Sequence, residues 1–149
     1  MSELLKGVQV VLPDGKKVNG EEHLKGKVVA LYFSAGWCPP CRAFTPKLKA
    51  YYEKLQELGK DFEVVWVSRD RSEEDLLEYY RDHHAKWVYL PFGDPHIQEF
   101  LTKYEVKTIP ALKVVKPDGT VVVQDARTEV AQKGGDAEAL FEEWQAFYN

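Results

Sequence analysis

Cys38 and Cys41 are the only cysteines among 149 residues, and they stand two residues apart in WCPPCRAFTP, positions 37–46. A pair at this spacing has three chemical uses: a thiol–disulfide couple that cycles, a structural staple, or half of a metal site. A bridge this local closes a tiny loop and removes little entropy from the unfolded chain, so stapling is a poor use for it. Half of a zinc site would need two more ligands. The histidines are His23, His83, His84 and His96. His83 and His84 are adjacent and point to different sides of a helix, and no second CxxC or HxxxH pattern exists, so no metal and no cofactor is expected. An inert pair in a core is set against Trp37 and the strand-to-helix setting of the motif. The cycling couple is the favoured use.

The elements that must position the pair are legible around it. KVVALYFSA, residues 27–35, is a near-continuous β-rich run, as expected of a buried central strand. Phe44, Leu48, Tyr52 and Leu55 then recur at three and four residues, the pattern of one helical face. Pro39 and Pro40 fit the first turn of that helix, where backbone N–H groups lack intrahelical partners. Pro46 lies further in, and its ring predicts a kink. The Cys38 sulfur is thus expected among the unpaired N–H groups at the positive end of a helix dipole, a setting that lowers a thiol pKa from about 8.5 to roughly 7 or below. Cys41, one turn on, is expected to be more buried and less ionised. Cys38 is therefore the expected attacking sulfur and Cys41 the resolving one. Pro39 and Pro40 stiffen the loop and remove two donors that could have stabilised the thiolate.

The remaining elements follow the same rules. Gly7 to Val18 reads as a hairpin turning at Pro13-Asp14-Gly15. FEVVWVS, residues 62–68, is a second buried strand. Ser72 to Asp75 reads as a capping box opening a helix to about His84. A short apolar stretch lies within Trp87 to Phe92, and residues 96–104 predict a short helix. Ala111 to Val115 and Thr120 to Val123 flank the turn Pro117-Asp118-Gly119. Asp136 caps a last helix with Leu140, Phe141, Trp144 and Phe147 on its apolar side. Strands alternating with helices, closed by a hairpin, give an α/β fold: three α/β/α layers around a mixed central sheet, with an N-terminal β-hairpin.

Composition is ordinary for a globular protein, with 44% apolar and 30% charged residues. The length suits one domain over 1–149. A formal charge of −4, with lysines scattered among acids, argues against direct binding of nucleic acid. Glu3, Lys6 and Gln9 interrupt the apolar runs of the N-terminus, so a secretory signal is not expected, and no stretch approaches a membrane span. The expected setting is a reducing compartment, where a CxxC pair is more often catalytic or metal-binding than structural.

Beyond the pair itself, VVALYFSAGWCPPCRAFTPKL, EVVWVSRDRSEEDLLEYY, LPFGDP and KYEVKTIPALKVVKPDGTVV resemble the thioredoxin superfamily, specifically its tryparedoxin and nucleoredoxin branch, over residues 24 to about 128. The resemblance implies the thioredoxin fold and dithiol–disulfide exchange by Cys38 and Cys41. It implies a cis Ile109–Pro110 bond, with Pro110 against the disulfide and the backbone of Ile109 pairing with an extended client segment. Pro46 matches the helix kink of the family. Trp37 is expected to shield the sulfurs and offer clients an apolar contact. Many thioredoxins carry a buried aspartate where this chain has Tyr32, a poor base at neutral pH. Asp70 is then the candidate proton acceptor for Cys41, with Arg127 as its candidate partner. Arg69 departs from the tryptophan that tryparedoxins tend to carry. The implied activity is protein-disulfide reduction, with cysteine-bearing regulatory proteins or transcription factors as clients and a thiol reductant such as a thioredoxin reductase system. The implied location is the cytoplasm and the nucleus, with no membrane partner, as a monomer or weak dimer. The rival is a redox-switched binding module whose groove, formed by Trp37, Ile109 and Pro110, holds a signalling partner without turnover.

Overall fold

The computed structural model describes residues 3–148. Seven strands form one mixed sheet: β1 (Gln9–Val11), β2 (Lys17–Asn19), β3 (Val28–Ser34), β4 (Phe62–Ser68), β5 (Val88–Tyr89), β6 (Ala111–Val115) and β7 (Val121–Val123). Their order across the sheet is β2-β1-β5-β4-β3-β6-β7. β3 lies at its heart, parallel to β4 over seven paired residues from Val28↔Phe62 to Ser34↔Ser68, and antiparallel to β6. All seven residues of β3 and of β4 are buried. A strand covered on both faces cannot alternate apolar with polar, and this explains the unbroken runs in the sequence.

The helices are α1 (Gly20–His23), α2 (Pro39–Glu57), α3 (Glu73–His83), α4 (Pro95–Lys103), α5 (Ala126–Lys133) and α6 (Ala137–Ala146). Side chains alternate across β3. Val28, Ala30 and Tyr32 join one core with Phe44 and Leu48 of α2, Tyr79 of α3, Val130 of α5 and Trp144 of α6. Val29, Leu31 and Phe33 join the opposite core with Leu5, Leu24 and Phe100 of α4. The period-2 geometry of the strand therefore supplies both interlayer cores of the α/β/α arrangement.

Both expected hairpin turns form in the same way. At Pro13-Asp14-Gly15 and Pro117-Asp118-Gly119 the glycine has φ +90°, a region that L side chains rarely occupy. The expected helix caps at Ser72 and Asp136 hold, and the short helix expected over 96–104 begins at Pro95 behind a cap, Asp94, that the sequence reading did not name. The side chains of Ser72, Asp94 and Asp136 accept from the N–H of Asp75, His96 and Ala139 respectively. Two helices exceed the expected order. α1 has only four residues, too few to show a period. α5 buries only Ala126 and Val130, so it carries no apolar stripe. α2 runs on through Pro46, whose missing N–H leaves the Arg42 carbonyl without its usual donor.

Candidate active site

β3 delivers the chain to Ala35-Gly36-Trp37 and α2 begins at once. Cys38 is its N-cap, with Pro39 and Pro40 in the first two helical positions. Neither proline has an N–H to offer. The first donor of the helix is therefore Cys41, and its N–H points at Cys38 Sγ, 3.3 Å away. Cys38 and Cys41 are joined as a disulfide, with Cα atoms 5.2 Å apart. Cys38 is 4% exposed and Cys41 not at all. Opposite them the Ile109–Pro110 bond is cis, and the Ile109 carbonyl oxygen lies 3.7 Å from Cys38 Sγ.

The loop before the pair is held from three sides. The Asp70 carboxylate accepts the Gly36 N–H at 2.9 Å through Oδ1 and the Ser68 hydroxyl at 2.7 Å through Oδ2. The Trp37 indole N–H donates to the Arg69 carbonyl at 3.0 Å, and the Arg71 guanidinium sits over its ring at 5.0 Å. Arg42, from the first turn of α2, donates to the Gly36 carbonyl and to Nε2 of His83 on α3. Gly36 itself packs on Tyr79; a Cβ there would come within 3.1 Å of the tyrosine side chain.

Beneath Cys41 lies a buried set of hydroxyls. Thr45 Oγ1 is 2.8 Å from the Cys41 carbonyl, 2.7 Å from the Tyr32 hydroxyl and 2.6 Å from the Tyr79 hydroxyl. Thr45 has one proton to give, and the carbonyl can only accept, so both tyrosines donate to Thr45. Burial pushes the pKa of Tyr32 far above the ordinary tyrosine range and raises that of Tyr79 as well. Both phenols keep their protons at neutral pH. His84 packs 4.1 Å from the Trp66 ring and 4.3 Å from the Tyr79 ring, and its Nδ1 accepts from the Trp87 indole. Burial lowers its pKa well below the usual histidine value, so it is neutral here.

The expected site residues are thus brought together in part. Trp37 to Cys41 form one continuous segment at the start of α2, and Cys38 meets the Ile109 carbonyl of the cis-proline loop, while Cys41 and Pro110 lie buried. Asp70 and Arg127 do not form the expected pair. Asp70 spends both oxygens on the loop, and Arg127, on the first turn of α5, donates to the Pro110 carbonyl at 3.4 Å. Each supports a different half of the site. Gly36, Arg42, Thr45, Tyr79 and His83 belong to the surroundings as well, although composition and periodicity gave no sign of them. For Thr45 a local signal existed: it stands four residues after Cys41, where a threonine hydroxyl can reach back to the carbonyl. Among the described residues no three of His, Cys, Asp and Glu gather as a metal set, and no helix is long and apolar enough to cross a membrane.

A family model described as thioredoxin-like matches residues 26–121. A thioredoxin from Wuchereria bancrofti has the same fold at TM-score 0.83, with 44% identity over 97% of this chain and 99% of that one. A tryparedoxin from Trypanosoma brucei aligns at TM-score 0.72 with 36% identity over 85% of each chain. A probable nucleoredoxin 1 of Arabidopsis thaliana is 43% identical over 130 residues, covering 87% of this chain and 22% of that protein. This chain belongs to the thioredoxin-like family, and its CxxC pair is closed as a disulfide at the start of α2. Within the family it stands in the nucleoredoxin and tryparedoxin branch. The chain spans between a fifth and a third of the length of the curated nucleoredoxins it matches.

Proposed function

We propose that this chain, acting as one domain, reduces disulfides of client proteins. The observation that carries it is the asymmetry of the pair. Cys38 sits at the helix N-terminus, takes the Cys41 N–H and borders the Ile109 carbonyl, while Cys41 is fully enclosed. In the reduced protein the helix terminus and the Cys41 N–H favour a Cys38 thiolate. That thiolate attacks one sulfur of a client disulfide. A mixed disulfide forms and the first client thiolate leaves. Cys41, whose proton is taken up by the departing thiolate, then attacks Cys38 Sγ. The second client thiolate is released and the Cys38–Cys41 disulfide closes. Two electrons have moved to the client, and an external dithiol system, such as a thioredoxin reductase chain, restores the couple. Ile109 offers its backbone to an extended client segment, and Trp37 offers an apolar contact.

The likeness to nucleoredoxins extends the proposal to regulatory proteins and transcription factors of the cytoplasm and nucleus as clients. The test is reduction of insulin disulfides driven by dithiothreitol. The wild type should turn over, Cys38→Ser should be inactive, and Cys41→Ser should accumulate mixed disulfides that identify clients. Equal inactivity of wild type and Cys38→Ser would sink the reductase and bring forward a redox-switched binding module.

A further inference from the structure

Arg42 ties the loop before Cys38 to α3, and the tie ends on a histidine. Its guanidinium donates to the Gly36 carbonyl and, through Nη1, meets Nε2 of His83 at 3.0 Å. A guanidinium has N–H donors and no acceptor. Nε2 of His83 is therefore the acceptor, with its lone pair aimed at Arg42. That fixes the state of the ring: neutral, with the proton on Nδ1. An imidazolium carries a proton on both nitrogens and presents Arg42 only with a second positive charge.

The groups around His83 decide what its protonation does. On α3 the Tyr79 ring lies 5.7 Å from the His83 ring, Asp82 is bonded to Arg81, and His84 is buried and neutral. From the loop after β4, Asp70 has both oxygens engaged. Asp75 and Glu78 line the same cleft as Arg42 and His83, and among the described residues neither is in an ion pair. A charged His83 repels Arg42, and these two carboxylates compete for either cation. The Gly36 N–H stays on Asp70, but its carbonyl loses the support of α3, two residues before Cys38.

We propose that His83 is a positioning residue for disulfide reduction. As a neutral acceptor it keeps Arg42 on the Gly36 carbonyl and so holds the loop that sets Cys38; once protonated it releases Arg42, and attack on a client disulfide slows. The proposal rests on the disulfide-reductase reading above. Histidine changes charge between about pH 5 and pH 8, so the slowing comes as pH falls through that range. Both side chains are exposed, and exposed interactions are weak, so a change of about threefold is the expected scale.

Two measurements test it. Nitrogen NMR of the histidine rings, with His83 assigned by the signal that His83→Gln lacks, should show it neutral at about pH 8 with its proton on Nδ1. A proton on Nε2 would overturn the proposal outright. For the rate, pre-reduced protein in excess is mixed with one peptide disulfide carrying a reporter thiol, between about pH 5 and pH 8. Each rate is divided by the Cys38 thiolate fraction, read from ultraviolet absorbance. The wild-type value should fall about threefold towards acid. His83→Gln, whose side-chain carbonyl accepts from Arg42 at every pH, should keep the alkaline value throughout, and His83→Leu the acid one. A wild-type profile parallel to that of His83→Gln, or a His83→Leu protein as fast as the wild type at about pH 8, would overturn the positioning role and leave the reductase intact. No release of the reporter by the wild type above the rate of a free thiol would instead remove the reductase itself.

Discussion

Thr45 has one proton and two lone pairs, and all three are in use. It donates to the Cys41 carbonyl and accepts from Tyr32 and Tyr79, so a single side chain ties α2, β3 and α3 together next to Cys41. Thr45→Val keeps the shape and strands two buried phenol protons. An unsatisfied buried polar group costs about 1–3 kcal/mol, so the variant should lose roughly 2–4 kcal/mol in a urea or guanidinium titration. Thr45→Ser, which restores the hydroxyl, should recover most of this loss. A change within a few tenths of a kcal/mol for Thr45→Val would show that the tyrosines find other acceptors, the buried Ser34 hydroxyl being the nearest candidate by chemistry.

At the scale of elements, the active loop is a bridge between β3 and α2 that borrows its rigidity from α3. Arg42 is the link: it reaches from α2 to the Gly36 carbonyl, lies over the Tyr79 ring at 5.7 Å and holds His83 near the end of α3. Arg42→Met removes these bonds while keeping most of the packing length. The expected result is a fall of about threefold to tenfold in kcat/KM for insulin reduction, with stability lowered by only about 1 kcal/mol because the guanidinium is exposed. Equal losses in both quantities would mean that the arginine supports the fold generally. The strands and long helices of this arrangement were plain in the sequence because each carries a pattern: near-continuous apolar runs in β3 and β4, broken in β4 by Glu63, and a three-and-four repeat in α2. The ties between them were not. Asp70 bonds Gly36 across 34 positions, and the resemblance that offered it as a proton acceptor for Cys41 gave no sign of this tie to the loop. α5 escaped notice for a related reason. Two buried residues in eight make no stripe, so Arg127, which the family resemblance offered as a partner for Asp70, had no element to place it.

The whole molecule has a second polar feature at the other end of the sheet. Glu63, near the start of β4 and roughly 17 Å of strand away from Ser68, is buried, and desolvation raises its pKa from 4.5 to about 7. The Val64 N–H, the Tyr52 hydroxyl and Lys27 offset only part of this. His23 Nε2 lies 4.0 Å away, and its own pKa is lowered by burial and by Lys27, so both shifts work against an ion pair there. The folded protein holds the Glu63 proton up to about pH 7, the unfolded chain only to about 4.5. Between those values the folded state binds more protons, so this group makes stability fall as pH rises and levels off above about pH 8. The full effect is of order 3 kcal/mol. Glu63→Gln should flatten that stretch of a stability-versus-pH curve and be the more stable protein at pH 8. Parallel curves for the two proteins would place the proton elsewhere.

Trp66, Trp87 and Trp144 are sealed in the core at 0% exposure, while Trp37 stands 48% exposed beside the disulfide. The four indoles therefore divide into a silent set and a reporting one. A water-borne quencher reaches only Trp37, and excitation at the red edge of the band favours the solvated ring. The emission selected in this way comes from the residue next in sequence to Cys38, and reduction of the Cys38–Cys41 bridge is expected to shift it, which a fluorescence titration with dithiothreitol checks. One solvated indole among four thus gives the neighbourhood of the bridge an optical handle that needs no dye.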